Sequence, residues 1–330
     1  MDKIPAAAQV AETGRLLLGS KLVARTWGNF SARLDETQFC ITPSGLGYEH
    51  MTAEDVVTYD MTDGTWEGTR KPSSEKGIHA AAYRLFPDAG FVIHTHQTYA
   101  TALGLTEPGC LQITPEEKER LGGIARADYG LPGTKTLCAA VTAAMETGAH
   151  TVLMVHHGAL ICGCDRADAM ERAALLEDIC RRSCRGQEPC PRAWSDEQLV
   201  QYRQSLQAVY PTADIVDTDA ARAWSLLHRP LHAQIDDMAQ MIGRSIPAAK
   251  NAPNGQVMLR SRSAVLLPGV GILVRGADAE DTEALQTLTH KAAVAALHCR
   301  AMEKKAHLSL RDCIFMRQFY LLKYSRQKNG

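Results

Sequence analysis

The order of helical and strand-like segments is the feature of this sequence that most constrains its fold. Residues 5–19 place apolar side chains at helical spacing and end at a glycine, which predicts an opening amphipathic helix. Three short strand-like segments follow at 26–33, 38–42 and 56–60, and residues typical of tight turns bound them. Short strands joined by tight turns predict an antiparallel meander.

The later segments mix the two kinds of structure. Residues 75–85 return to helical spacing, and the strand-like segment 91–96 leads into a short helical segment at 98–103. A second strand-to-helix unit is predicted over 152–181. The mixture predicts an α/β fold rather than an all-helical or all-strand one.

The length of the chain predicts two units. The chain has 330 residues, whereas a single hydrophobic core stops growing at roughly 250–300 residues. Towards the C-terminus the pattern predicts a helix over 224–241, strands over 257–274 and a long helix over 281–305. We therefore expect one substantial domain followed by a smaller α/β unit.

An internal similarity links these two parts of the chain. Residues 152–168 align with 265–281, so that Gly163 falls on Gly276, 113 positions later. Both segments read as strand, tight turn, strand and capped helix. We interpret the second segment as a degenerate partial repeat without metal ligands. Chance similarity is the alternative, since Gly and Asp recur wherever turns and helix caps occur.

The charge balance excludes a general attraction to nucleic acid or to an anionic membrane. Thirty-six basic residues face 37 acidic ones, which leaves a formal net charge of −1. The sequence contains no apolar run of the ~18 residues that a membrane span needs, and its start lacks the layout of a secretory signal. Ten scattered cysteines form no paired CxxC modules, so reduced thiols are expected. These features predict a cytoplasmic protein with neither nucleic-acid nor membrane partners.

Three histidines form the most informative pattern. His94 and His96 are two positions apart in a strand-like segment, so their side chains share one face of the strand. His157 directly precedes Gly158, where the chain can turn tightly. Three imidazoles with an open fourth position are typical of catalytic zinc. Histidines packed in a core are the alternative for each residue taken alone.

A fourth element is the segment Pro72-Ser73-Ser74-Glu75, which precedes a predicted helix. Serines and a glutamate at this position ordinarily cap a helix and favour its dipole. The same hydroxyls and amides can also hold a phosphate, and a glutamate beside a metal can transfer protons. Two similar turns precede it, at 28–31 and 42–45. Together with the histidines, these turns predict one pocket.

The segments GNFSAR, ITPSG, KPSSE, HTH and HHGALICG, in this order, resemble the class II aldolase/adducin family. The resemblance covers about residues 5–210, and it implies a layered α/β/α fold with a central, mainly antiparallel sheet. Because short members of the family end near 210, we expect a catalytic domain at 1–210 and a C-terminal α/β unit at 211–330.

The resemblance also implies roles for individual residues. It implies that His94, His96 and His157 hold Zn²⁺ and that Glu75 transfers a proton. His156 is not a ligand in the family and is expected to pack or to support a ligand. The phosphate pocket implied by the resemblance consists of Gly28, Asn29, Thr42, Ser44, Gly45, Ser73 and Ser74.

The reaction implied is cleavage of a phosphorylated ketose to dihydroxyacetone phosphate and an aldehyde, by way of a metal-stabilised enediolate. The resemblance therefore implies a metal-dependent aldehyde-lyase of carbohydrate metabolism with a small sugar phosphate as substrate. A sugar-phosphate 4-epimerase on the same scaffold is one alternative. A non-catalytic, adducin-like interaction protein is another, but such members lose the zinc ligands that this sequence retains.

Two tyrosines that act on the aldehyde half in fuculose-phosphate aldolases match this sequence unevenly. The first position aligns with Thr114, so no tyrosine stands there. The second comes from a neighbouring subunit and aligns with Tyr210, with Tyr202 as the alternative. The resemblance thus implies a homo-oligomer, a tetramer in the family. The basic and aromatic segment 309–330 is expected to be a terminal helix that docks on that oligomer, with nucleic acid or membrane contact as the alternative.

Overall fold

The computed structural model describes the backbone of residues 2–327 and the side chains of residues 2–322. Residues 328–330, the end of the basic C-terminal segment, lie outside the described residues. The chain forms two compact units, which meet in sequence between Ser183 and Cys184. No helix in residues 2–327 combines the length and the apolar character needed to cross a membrane.

The first unit is built around a seven-stranded sheet with the order β3-β2-β1-β4-β7-β6-β5. Every neighbouring pair is antiparallel except β5 and β6, which are parallel. The elements are α1 (Lys3–Gly19), β1 (Asn29–Arg33), β2 (Gln38–Ile41), β3 (Val57–Asp60), α2 (Lys76–Leu85), β4 (Phe91–Thr95), α3 (Thr98–Leu103), α4 (Pro115–Arg120), β5 (Ile124–Ala127), α5 (Lys135–Met145), β6 (Thr151–Met154), β7 (Gly158–Gly163) and α6 (Arg166–Ser183).

Helices cover both faces of this sheet. On one face, Ile78 and Tyr83 of α2 and Val141 of α5 pack with Val92 and Leu160 of the central strands. Helices α3 and α6 pack on the other face. Because both faces are covered, β4 and β7 are fully buried, and their residues are apolar except for His94 and Thr95. The predicted α/β class with a central, mainly antiparallel sheet is confirmed.

The second unit is smaller and has a three-stranded antiparallel sheet with the order β11-β12-β8. Strands β9 and β10 form a separate two-stranded antiparallel ribbon. The elements are α7 (Asp196–Val209), β8 (Ala213–Val216), α8 (Asp219–Ser225), β9 (Leu231–His232), α9 (Asp236–Met241), β10 (Ser245–Ile246), α10 (Ala252–Met258), β11 (Ala264–Leu267), β12 (Gly271–Arg275), α11 (Ala279–Ala301) and α12 (Leu310–Gln327).

Two features of the second unit differ from the sequence-based expectations. Helix α7 packs in this unit, because its Leu199 and Leu206 lie in a core with Ile215 and Leu273, whereas the sequence predicts a domain boundary at 210. The single helix expected over 224–241 is wrong. Pro230, which cannot continue a helix, separates α8 from α9.

The turn between β11 and β12 has the same geometry as the turn between β6 and β7. His156 and Gly269, 113 positions apart, both have a left-handed φ, of 66° and 72°. The next residue in each turn closes it with a backbone hydrogen bond to the preceding strand, His157 N to Met154 O over 3.1 Å and Val270 N to Leu267 O over 3.0 Å. The two turns therefore share backbone geometry but not side chains.

Close backbone approaches are also shared. A Cβ added at Gly158 would lie 2.1 Å from the carbonyl oxygen of Thr95, and one added at Gly271 would lie 2.2 Å from that of Val216. Both positions therefore require glycine. The helices that follow, α6 and α11, begin 113 positions apart.

Candidate metal centre

Three histidine rings meet at one end of the central strands of the first unit's sheet. His94 lies near the end of β4, His96 directly follows that strand, and His157 lies in the turn between β6 and β7. Their ligand atoms all lie within 4.8 Å of one another, and all three residues are buried. The predicted cluster of His94, His96 and His157 is therefore brought together by pairing of β4 with β7.

The local backbone explains how His157 reaches the cluster. Because His156 adopts the left-handed region, the chain reverses within a few residues of β6. Gly158 then allows β7 to start against the backbone of Thr95. The side chain of His156 packs on Tyr129, with ring centroids 5.0 Å apart, and is not part of the cluster.

The hydrogen bonding of His94 tests whether the cluster fits a metal ion. The carbonyl oxygen of Ala159 can only accept, so Nδ1 of His94 donates to it over 2.9 Å. Nε2, the other ring nitrogen of His94, faces Nε2 of His96 over 3.0 Å. Two ring nitrogens that face each other at this distance in a buried site can act as ligands of one cation. The residues thus fit a metal ion, and three imidazoles are a donor set that suits zinc.

Glu75 closes the cluster on the side of α2. It precedes the first residue of that helix, with Oε1 3.0 Å from Nε2 of His157 and Oε2 3.2 Å from Nε2 of His94. Burial raises the pKa of Glu75, but the charges of His157 and His94 outweigh burial and hold this pKa well below its ordinary value. Glu75 is therefore ionised at neutral pH.

Asn29 is the first residue of β1 and lies beside the cluster. It pairs with His94 across β1 and β4, so both side chains are on the same face of the sheet. Its side-chain amide donates to Oε2 of Glu75 over 2.9 Å. Gly28 has a left-handed φ of 104°, and a Cβ there would meet the carbonyl oxygen of His94 at 2.6 Å. Both residues therefore lie directly beside the strand that carries His94.

The turns at 42–45 and 71–75 are joined by backbone hydrogen bonds. Ser73 N donates to Thr42 O over 3.1 Å, and Ser44 N donates to Lys71 O over 2.9 Å. The hydroxyl of Ser73 accepts from the amide of Glu75 over 3.2 Å. Gly45 adopts a left-handed φ of 81°. The two turns thus form one surface that leads to Glu75.

Ser74 is approached by a segment that sequence reasoning did not place at the site. A Cβ added at Gly133 would lie 3.4 Å from Cβ of Ser74. Gly133 has a left-handed φ of 71° and ends the loop that also contains Tyr129. This loop therefore borders the surface formed by the serine turn.

Three of the expected or aligned positions have other surroundings. Thr114 caps α4, where its hydroxyl accepts from the amide of Glu117. Tyr210 ends α7 in the second unit, and the guanidinium of Arg275 lies 4.7 Å from its ring centre. Tyr202 donates its hydroxyl to Ala252 O over 2.9 Å in the same unit.

Sequence reasoning also missed a group of polar residues behind Asn29. His79 contacts Asn29 and Ser31, and Ser31 contacts Tyr83. Spacing would have found them, because His79 is one helical turn after Glu75 and Ser31 is two residues after Asn29 on a strand. All of these side chains are buried.

The sequence profile of the class II aldolase and adducin N-terminal domain matches residues 8–184. The chain belongs to this family. The matched range contains all three clustered histidines and Glu75, and it coincides closely with the first compact unit. The recognised family and the fold described above therefore agree.

Solved structures of the family support the same fold. An L-fuculose 1-phosphate aldolase is 27% identical with a TM-score of 0.51, and the match covers 62% of this chain and 96% of that one. YgbL from Klebsiella pneumoniae, named in broad terms as an aldolase/epimerase/decarboxylase, is 23% identical with a TM-score of 0.51 over 55% of this chain and 89% of its own. The family fold thus accounts for slightly more than half of the chain.

Proposed function

We propose that this protein is a zinc-dependent aldehyde-lyase that cleaves a phosphorylated ketose to dihydroxyacetone phosphate and an aldehyde. The observation that carries the proposal is the contact of an ionised carboxylate, Glu75, with two rings of a buried three-histidine cluster. Membership of the class II aldolase family supports an enzyme of this type. The 27% identity to an L-fuculose 1-phosphate aldolase supports a sugar phosphate as substrate.

The residues at the centre have separable tasks in this proposal. Bound at His94, His96 and His157, a zinc ion would supply Lewis acidity to the carbonyl and neighbouring hydroxyl of the ketose phosphate. Glu75 is ionised, so it takes the proton from the carbon beside the carbonyl in the direction of synthesis and returns it during cleavage. Its contacts with His157 and His94 hold the carboxylate close to that carbon.

We propose that the joined turns bind the phosphate of the substrate. The pocket would use hydroxyls and main-chain amides rather than a basic surface, which agrees with a net charge of −1. Phosphate held there would orient the reacting carbons over the cluster, so that binding energy of a non-reacting group assists the reaction. The residues proposed for this pocket are Gly28, Asn29, Thr42, Ser44, Gly45, Ser73 and Ser74.

The 4-epimerase is retained as a second candidate because of Thr114. In the proposed alignment Thr114 stands where fuculose-phosphate aldolases have a tyrosine, and its hydroxyl is used to cap α4.

We propose Tyr210 as the remaining tyrosine that protonates the aldehyde half, supplied across the interface of a homo-oligomer. We also propose a cytoplasmic location for the protein. All ten cysteines are free thiols, which agrees with a reducing compartment.

We further propose that the second unit contains a partial repeat of the first, without its chemistry. The shared turn geometry, the two obligatory glycines and the equal offset of α6 and α11 support the repeat. At the position of His157 this unit has Val270. Across the sheet, Leu160 pairs with His94 and the matching Leu273 pairs with Ile215, so an apolar residue also replaces His94.

Two assays test the proposed reaction. A panel of ketose 1-phosphates and 5-phosphates would be incubated with zinc-loaded protein, and released dihydroxyacetone phosphate measured with a coupling enzyme. Release that disappears with a chelator and returns with zinc supports the lyase. Conversion of a ketose phosphate to its 4-epimer without release, followed by chromatography, would instead support the epimerase.

A further inference from the structure

A chain of buried hydrogen bonds runs from Glu75 into the core of the first unit. Asn29 donates to Glu75 over 2.9 Å, and Oδ1 of Asn29 lies 2.5 Å from Nε2 of His79. Nδ1 of His79 lies 2.6 Å from the hydroxyl of Ser31, which lies 2.8 Å from the hydroxyl of Tyr83. Five side chains from β1, α2 and the turn before α2 are thus linked in sequence.

The orientation of the Asn29 amide fixes the direction of the other hydrogen bonds. Its NH2 group faces Glu75 and donates to Oε2. The end that faces His79 is then the carbonyl oxygen, which only accepts, so Nε2 of His79 carries the ring proton. Nδ1 of His79 is left as an acceptor for Ser31.

The outer end of the chain follows the same logic. Since the hydroxyl proton of Ser31 is donated to His79, its oxygen accepts from Tyr83. Burial, with a contribution from His94, lowers the pKa of His79 to about 3, so the ring is neutral. Burial raises the pKa of Tyr83 well above its ordinary value, so its hydroxyl keeps its proton. All four bonds therefore point their donors towards Glu75.

We propose that Ser31 and His79 are positioning residues for the proton-transfer carboxylate. Ser31 stabilises the Nε2-protonated tautomer of His79 by donating to Nδ1, His79 holds the Asn29 amide by donating to its oxygen, and Asn29 holds Glu75 against His94 and His157. With the opposite ring tautomer, Nε2 of His79 becomes an acceptor. Asn29 would then have to turn its NH2 group away from Glu75 and present an oxygen to the carboxylate.

The role of Glu75 in this inference rests on the proposed function, but the tautomer of His79 does not. Ser31 has no contact of its own with the cluster, since its partners are His79 and Tyr83. Replacing Ser31 therefore changes the hydrogen-bonded series without removing a side chain from the histidine cluster. Thr58 on β3 offers a matched control, because it is another buried hydroxyl of the same sheet that lies outside this chain.

The experiment combines nitrogen-15 NMR of histidine-labelled, zinc-loaded protein with steady-state kinetics. The His79 signals are identified by their absence from His79→Gln. We expect the wild-type ring to be neutral with its proton on Nε2. In Ser31→Ala, Nδ1 of His79 loses its donor. We therefore expect its nitrogen-15 signal to shift and the share of the Nε2-protonated tautomer to fall, with kcat about tenfold to a hundredfold lower and KM and zinc content unchanged. In Thr58→Val we expect no change in the His79 signals.

Two results would overturn the inference. One is a wild-type His79 protonated on Nδ1, which contradicts the assigned direction of the hydrogen bonds whether or not Ser31→Ala folds. The other is a folded Ser31→Ala protein with wild-type kcat. If no ketose phosphate is cleaved by the wild type, the proposed function fails, and the NMR measurement alone still decides the direction of the chain.

Discussion

Nε2 of His157 lies 3.0 Å from Oε1 of Glu75, although 82 positions separate the two residues in the sequence. The contact forms because α2 begins at the same end of the sheet's strands as the turn between β6 and β7. In the proposed function it joins the proton-transfer group to a ring that would hold the metal. Since each residue would then have one task, substitution can separate metal binding from catalysis.

Glu75→Gln keeps the size of the side chain and removes its ability to take a proton. We expect zinc content to stay at the wild-type level and kcat for dihydroxyacetone phosphate release to fall by about a hundredfold to ten-thousandfold, the usual contribution of a general acid–base group. Metal analysis and the coupled assay on the same preparation check both. Activity within about tenfold of wild type would rule out Glu75 as the proton-transfer group.

His94→Ala removes a ring whose Nδ1 is already anchored by Ala159. We expect wild type to bind about one zinc ion per chain and this variant to lose most of it. His156→Asn is the matched control, because asparagine tolerates the left-handed φ and His156 is outside the cluster. Stoichiometric zinc in a folded His94→Ala protein would contradict the assigned centre and would indicate a second site.

Gly158→Ala tests the close approach that delivers His157 to the cluster. The new Cβ would lie 2.1 Å from Thr95 O, so the strands must separate. We expect the free energy of unfolding in urea to fall by about 3 kcal/mol, with weaker zinc binding. Gly19→Ala is the control, since nothing lies within 4 Å of a Cβ there. Equal stability of both variants would contradict the described packing.

His298 predicts acid sensitivity of the second unit. Burial, with a contribution from Arg185, lowers the pKa of His298 from 6.5 to about 4. Below pH ~6.5 the unfolded chain binds a proton at His298 that the folded chain does not. The free energy of unfolding therefore falls as the pH is lowered, by at most about 1.4 kcal/mol per pH unit.

His298→Asn removes this titrating group while keeping an acceptor for the amide of Arg185, which lies 3.1 Å from Nδ1. Urea unfolding between pH 4 and 7 should therefore show a shallower decline for the variant than for the wild type. Parallel curves would mean that His298 takes up its proton equally in both states.

The three-histidine cluster could be predicted from local spacing. Two histidines at alternate positions of a strand must share a face, and a histidine before an obligatory glycine marks a tight turn. The chain order of strands and helices likewise predicted the α/β class. Each of these inferences depends on a few consecutive residues, which is why sequence alone was sufficient.

The remaining features depend on packing between distant residues. The hydrogen bond between Ser31 and His79 spans 48 positions. No local pattern in either segment predicts that the two residues are in contact. Helix α7 reads as an ordinary amphipathic helix, and only its contacts with Ile215 and Leu273 assign it to the second unit. Thr114 looked like a substitution at an active-site position, whereas its hydroxyl caps α4.

Exchange of a proton of dihydroxyacetone phosphate with solvent tests the central claim most directly. The zinc-loaded enzyme would be incubated in D2O with dihydroxyacetone phosphate alone, and the proton NMR signal of its hydroxymethyl carbon followed over time. We predict loss of one of the two protons there with the wild type and none with Glu75→Gln. Absence of exchange with folded, zinc-loaded wild type would contradict the assignment of this centre as an aldolase.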